Sequence, residues 1–199
     1  MKRNQMKQQL LSMVEGALMV ALAVVLDQVC KLIPDKVLFV FGGGITIAMI
    51  PLVYYAYRRG TLWALGAGLV FSAYQIISGW YPPPAGTATA FVLCVLLDYV
   101  LAFTAVGLAA LFAKPFGKHR LIGYGVGCFA VHVLRFVASF LSGGILWGSN
   151  APEGMNPWLY SLGYNGSYMG INAVLCTVLI VLLCIAIDPL TLRPMKREK

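Results

Sequence analysis

The sequence predicts an all-α integral membrane protein with six transmembrane helices and both termini in the cytoplasm. Hydrophobic residues occupy 60% of the 199 positions, charged residues occupy only 11%, and the mean hydropathy is +0.81. A soluble domain carries about 25% charged residues, so this composition excludes an ordinary soluble protein. The length favours a single domain that covers residues 1–199.

The apolar runs predict where the helices lie. A helix needs about 20 apolar residues to cross a bilayer, and this criterion gives six segments, at roughly 9–33, 38–57, 61–79, 88–113, 121–147 and 158–187. The first segment is too long for the hydrophobic part of a cleaved signal peptide. The second begins near FGGGIT, residues 41–46, where the three glycines either let the backbone approach a ligand or unwind the helix, or else allow close helix packing. Both interpretations stay open.

Positive charge is concentrated in the connections between alternate segments. Twelve of the 15 Lys and Arg residues fall in four clusters, which are Lys2, Arg3 and Lys7; Arg58 and Arg59; Lys114, Lys118 and Arg120; and Arg193, Lys196, Arg197 and Lys199. This is the positive-inside pattern of helical membrane proteins. It places both termini inside. The net charge of +8 therefore reflects the topology of a membrane protein and does not indicate nucleic-acid binding.

The sequence contains no motif for common enzyme chemistry. It has two histidines and five scattered cysteines without a CxxC pair, so neither a metal site nor a cofactor is expected. It has no G-x-x-x-x-G-K-[ST] phosphate loop and no G-x-S-x-G nucleophile elbow. We therefore expect a protein that is not an enzyme.

Ionisable side chains inside the predicted spans indicate a functional site, because such groups are expensive in hydrocarbon. His132, Arg135 and Ser139 follow helical spacing and share one face of the fifth segment. Arg135 needs an anion or a water-filled cavity, and Asp98 is its natural partner. The pair either locks two helices together or faces a cavity that uses both charges, and these alternatives stay open. Asp27 is expected near the outer surface, in contact with solvent.

The stretch APEGMNPWLYSLGYNGSYMG, residues 151–170, is polar and aromatic where the last apolar segment begins. Trp158 and Tyr168 are expected in the aromatic belt at the membrane interface. Tyr160 and Asn165 differ, since an amide offers both donors and an acceptor to a ligand. An outward pocket with aromatic walls and a carboxylate suits a flat, cationic, nitrogen-rich small molecule.

Four stretches resemble the ThiT family, the thiamine-specific substrate-binding (S) components of energy-coupling factor (ECF) transporters. They are ITIAMIPLVYYAYRRG, VLLDYVLAFTAVGLAALF, SFLSGGILWGS and APEGMNPWLYSLGYNGSYM, in the family's order. The resemblance implies the six-helix S-component bundle in a prokaryotic cell membrane. It also implies high-affinity capture of thiamine outside the cell, with a transmembrane T component and two cytoplasmic ATPases as partners.

The resemblance assigns binding roles to individual residues. The ligand carboxylate matches Asp98, the stacking tryptophan matches Trp147, and Ser139 stands where some members have histidine. The other implied ligand-binding residues are Tyr99, Arg135, Tyr160, Asn165 and, as a looser match, Tyr81. A family tryptophan near the first outer connection is absent, its place taken near Gly42.

The first segment carries the expected docking surface. Ala17 and Ala21 form a small-xxx-small pair that allows close approach of another helix, and in the family such a pair meets the T component. Ordinary packing inside the bundle is the alternative. For the whole protein, two other functions stay open: an S component for another flat vitamin or a precursor such as hydroxymethylpyrimidine, and a membrane structural or assembly protein.

Overall fold

The computed structural model describes residues 2–32 and 43–195, with side chains from residue 4 onward. This part of the chain contains six main helices and no strand. They are α1 (Lys2–Cys30), α2 (Ile50–Arg59), α3 (Thr61–Gly79), α4 (Ala88–Phe116), α5 (Arg120–Leu146) and α6 (Pro157–Ala186). Within α4, residues Val95–Leu101 form a π-helical turn and Ala105–Leu108 a 3₁₀ turn.

Five of these helices, all except α2, are long and apolar enough to cross a membrane. The third segment has the predicted bounds, and α5 and α6 each begin one residue before the predicted position. The prediction of an all-α multi-pass membrane protein is confirmed, because the lengths and hydropathy of these helices suit a bilayer core of about 30 Å.

The second segment, 38–57, differs from the prediction of a full-length helix. Residues 38–42 lie outside the described part, residues 43–47 are irregular, and α2 begins only at Ile50, beside Pro51 in its first turn. Gly43 and Gly44 have φ angles of 90° and 156°, which a right-handed helix does not allow. Ten helical residues span about 15 Å, half of the bilayer core. Of the two interpretations of FGGGIT, the structure supports the unwound one.

Helix α2 lies inside the bundle. Eight successive residues, from Ile50 to Tyr57, are buried, and a helix that is buried all round is a core element. Close packing of α3 on α4 depends on Gly68, since a Cβ added there would lie 2.8 Å from the Phe103 carbonyl oxygen. Helix α1 lies on the outside of the bundle, where it packs against α2 and α3.

Charged contacts join the chain segments at one end of the bundle. Glu15 on α1 accepts hydrogen bonds from Arg58 at 2.8 Å and from Arg59 at 2.5 Å. Arg58 also donates to the Pro189 carbonyl oxygen at 3.0 Å, just after α6. This end therefore collects the RRG turn and the chain after α6. Its assignment to the cytoplasm stays a prediction.

Candidate binding cavity

A cavity of about 280 Å³ opens at the other end of the bundle, between α1, α3, α4, α5, α6 and the irregular segment 43–47. All eight predicted ligand-binding residues line it: Tyr81, Asp98, Tyr99, Arg135, Ser139, Trp147, Tyr160 and Asn165. They come from four regions of the chain that the fold brings together. That they contact a ligand stays a prediction.

Asp98 lies on the π-helical turn of α4, a departure from α-helix that is frequent at functional sites. Its Oδ2 accepts hydrogen bonds from Ser142 Oγ at 2.5 Å and from Trp147 Nε1 at 3.3 Å, and the Cys94 thiol lies 3.6 Å away. Both strong donors come from the end of α5. The carboxylate is thus fixed in orientation while it still borders the cavity.

Trp147 forms an aromatic wall beside this carboxylate. Its ring lies 5.3 Å from the ring of Tyr81, centroid to centroid. Tyr99 supports the same wall from behind, because its hydroxyl accepts from the Tyr81 backbone N–H at 3.1 Å and donates to the Gly79 carbonyl oxygen at 3.2 Å. Tyr99 therefore fixes the position of Tyr81, and part of its effect on the cavity wall is exerted through Tyr81.

Arg135 is half-buried at the cavity and has no ion-pair partner among the described residues. Its guanidinium lies 4.6 Å from the centre of the Phe103 ring, Nη1 lies 3.1 Å from Met49 Sδ, and Nε has no hydrogen-bond partner. The expected Asp98–Arg135 ion pair is wrong. The reason is geometric: Ser142, which binds Asp98, lies seven residues from Arg135, about 10 Å along α5.

Asn165 links α5 to α6 through its side-chain amide. The amide nitrogen donates to the Ser139 carbonyl oxygen at 3.3 Å and to Ser161 Oγ at 3.2 Å, while its oxygen accepts from the Tyr168 hydroxyl at 3.0 Å. The amide thus serves the protein's own groups, and Tyr160 stacks on Tyr164 at 5.8 Å beside it. Asn165 therefore holds together the part of the cavity wall that α5 and α6 form.

Tyr168 corrects the expectation of an interfacial belt residue, since only 5% of it is exposed. Its ring packs against Gly43, where an added Cβ would lie 2.6 Å from the tyrosine Cζ. The irregular segment therefore covers Tyr168. Trp158, in contrast, is 42% exposed.

A second polar cluster at the α1 end of the cavity was not predicted. Asp27 is only 5% exposed, so the expectation of a solvated carboxylate is wrong. Its oxygens accept from Tyr74 at 2.9 Å and Gln75 at 3.1 Å, and Lys31 Nζ lies 2.7 Å away. The i, i+4 spacing of Asp27 and Lys31 is the sequence pattern from which this ion pair could have been predicted.

The remaining sequence candidates lie outside the cavity wall. His132 is buried, with Nδ1 2.8 Å from the Cys128 carbonyl oxygen, and does not line the cavity. Ala17 and Ala21 are exposed on α1. Among the described residues, no group of three His, Cys, Asp or Glu side chains is placed to hold a metal ion. Ser142, the donor to Asp98, was missed although it lies one helical turn from Ser139.

These features define a multi-pass membrane protein that encloses a polar, aromatic small-molecule cavity within a helical bundle. Residues 13–192 match the family model described as "Thiamine transporter protein (Thia_YuaJ)". The chain therefore belongs to this thiamine transporter family, a family of transporters rather than enzymes. The ThiT resemblance of the four sequence stretches is confirmed.

Individual relatives agree with the family assignment. The chain is 32% identical over 188 residues to the thiamine transporter ThiT of Bacillus subtilis, covering 90% of this chain and 93% of that protein. It is 33% identical over 151 residues to ThiT of Lacticaseibacillus paracasei, covering 69% and 72%. The solved structure of ThiT from Listeria monocytogenes has the same fold, with a TM-score of 0.69, 22% identity, and coverage of 88% of this chain and 94% of that one.

Proposed function

We propose that this protein captures thiamine with high affinity outside a prokaryotic cell and delivers it, as the S component, to an ATP-driven ECF transporter. The observation that carries the proposal is the contact between a cavity-lining carboxylate and a cavity-lining indole, Asp98 and Trp147. Thiamine joins a cationic thiazolium ring to an aminopyrimidine. A flat cation gains from an aromatic face and from a nearby carboxylate together.

Two of the charged side chains that line the cavity, Asp98 and Arg135, suit the two halves of this ligand. Asp98 is held by neutral donors and balances a cationic ring. Arg135 also lines the cavity, and its guanidinium group offers N–H donors to an acceptor atom such as a pyrimidine nitrogen. Tyr160 and Tyr164 provide a second aromatic surface. Asp98 and Arg135 form no ion pair with each other, so a bound ligand would serve as a polar partner for each of them.

Delivery needs a partner, because the sequence has no nucleotide-binding loop. The T component would dock on α1, whose Ala17 and Ala21 are exposed while Ser12 and Gly16 face α2. Small residues on an exposed face let another helix approach closely. Two cytoplasmic ATPases would bind the T component and supply the energy, with the outer connections acting as gates.

Isothermal titration of the detergent-purified protein with thiamine, and separately with hydroxymethylpyrimidine, tests the proposal. We expect a submicromolar dissociation constant for thiamine and at least hundredfold weaker binding of the pyrimidine, which lacks the cationic ring. Equal or tighter binding of the pyrimidine would favour the precursor-carrying alternative. Binding of neither compound, by protein that unfolds cooperatively on heating, would contradict the capture function.

A further inference from the structure

Asn172 on α6 holds the irregular segment 43–47 through two backbone hydrogen bonds. Its Oδ1 accepts from the Thr46 N–H at 2.9 Å, and its Nδ2 donates to the Gly44 carbonyl oxygen at 2.9 Å. Asn172 is only 1% exposed. These are the two backbone groups that one residue of a neighbouring strand bonds in a parallel sheet. A single side-chain amide thus takes the place of a strand.

The segment has a particular need for such a partner. Its residues Gly43, Gly44, Ile45 and Thr46 all line the cavity, and none of them belongs to a helix. A buried backbone group that loses its hydrogen bond is costly. The Cys176 thiol adds a contact of 3.5 Å to the Thr46 carbonyl oxygen. Both contacts come from α6, one helical turn apart.

Asparagine is the residue type that this geometry requires. These two hydrogen bonds, which we call the Asn172 clamp, need a donor and an acceptor on two separate atoms of a short side chain, and an amide supplies both, whereas a hydroxyl carries them on one oxygen. Asp would keep the acceptor for Thr46 but would oppose the Gly44 carbonyl oxygen with a second oxygen. Asn172 also lies seven residues after Asn165, on the face of α6 that turns toward the cavity.

We propose that Asn172 is a positioning residue for ligand binding, which fixes residues 43–47 as one wall of the cavity without touching the ligand. This inference deepens the proposed function and rests on it. A fixed wall slows escape of a bound ligand, so the clamp acts mainly on the dissociation rate. Its effect reaches the ligand through Gly43 and Tyr168, which pack directly on each other.

The test combines ligand kinetics with amide hydrogen exchange on the full-length protein in detergent. For Asn172→Ala we expect faster exchange confined to residues 44–47, and a thiamine dissociation constant at least tenfold higher, mostly through a faster dissociation rate. Asn172→Asp, which keeps the acceptor for Thr46 but opposes the Gly44 carbonyl oxygen, provides a second variant in which both quantities should change in the same direction. If Asn172→Ala does not fold, Asn172→Asp carries the test.

Asn156→Ala is the matched control. Asn156 also bonds a backbone N–H, that of Trp158 at 2.8 Å, but in the exposed cap of α6. Its loss should lower thermal stability while leaving thiamine dissociation unchanged, which separates a general loss of stability from a loss of wall geometry. Unchanged thiamine kinetics in both Asn172 variants, or changed kinetics without faster exchange at 44–47, would overturn the proposal. Wild-type protein that binds no thiamine would contradict the proposed function alone, and the exchange comparison would still test the clamp.

Discussion

The indole nitrogen of Trp147 donates a hydrogen bond to the carboxylate of Asp98 over 3.3 Å, and both side chains line the same cavity. Trp147 directly follows α5, and Asp98 lies within α4, 49 residues away. The contact fixes an aromatic face and a negative charge side by side. This is the pair of groups that a flat organic cation requires.

Asp98→Asn is expected to raise the dissociation constant for thiamine by more than tenfold. The substitution keeps the size of the side chain but removes the charge that we propose balances the thiazolium, and tenfold corresponds to about 1.4 kcal/mol. Titration calorimetry measures the change. Glu153→Gln, a neutralised carboxylate in the exposed connection before α6, is the control and should bind as the wild type does. Equal affinities of Asp98→Asn and wild type would remove Asp98 from the site.

Gly43→Ala should weaken thiamine binding and lower the thermal midpoint, whereas Gly86→Ala should affect only the midpoint. Both glycines have positive φ, 90° and 61°, so each substitution costs about 1–2 kcal/mol of backbone strain. Only at Gly43 does the new methyl group meet Tyr168; nothing lies within 4 Å at Gly86. Thermal unfolding and thiamine titration of the two variants separate these effects. Equal thiamine affinities would show that the contact with Tyr168 has no influence on the cavity.

Glu15→Gln should lower stability by about 2 kcal/mol and leave thiamine affinity nearly unchanged. Glu15 receives charge-assisted hydrogen bonds from both Arg58 and Arg59 with little exposure to solvent. A hydrogen bond to a charged group contributes about 1.5–3 kcal/mol, and glutamine would keep one of the two acceptor oxygens. The cavity lies at the other end of the bundle. Thermal unfolding in detergent, with the exposed-charge variant Lys7→Gln as control, measures the loss. A midpoint equal to that of Lys7→Gln would contradict the structural role.

Replacing Ala17 and Ala21 together by Leu should abolish thiamine uptake by cells while the purified protein still binds thiamine. Both positions are exposed on α1, so the larger side chains fit the isolated bundle but block close approach of another helix. Uptake of labelled thiamine and titration of the purified variant give the two readouts. Leu18→Ala, which reduces an exposed neighbour, is the control. Full uptake by the double variant would place the docking surface elsewhere.

Much of the helical framework could be predicted from the sequence, because apolar length and positive charge are local properties of the chain. Five long helices follow from them, with bounds close to those expected. The broken second segment could not be derived, since the side chain that bonds its backbone at Gly44 and Thr46 is Asn172, more than 120 residues away. Glycine content alone left two interpretations open there.

The candidate residues of the cavity were found from their types and from the family motifs, but several of their partners were not. The sequence suggested an Asp98–Arg135 pair, because it showed two opposite charges and not the rotation of each helix. In the structure, Ser142 and Trp147 are the donors to Asp98. The sequence also placed Tyr168 at the membrane interface, because it does not show that Gly43 packs on this ring and buries it. Side-chain partners across helices require the fold.

Tryptophan fluorescence during a thiamine titration tests the central claim most directly. In wild-type protein and in Trp158→Phe, we expect saturable quenching at submicromolar thiamine, because the ligand would lie against Trp147 and away from the partly exposed Trp158. In Trp147→Phe the quenching should be largely lost. Quenching that is unchanged in Trp147→Phe, or absent from folded wild-type protein, would contradict the placement of thiamine in this cavity.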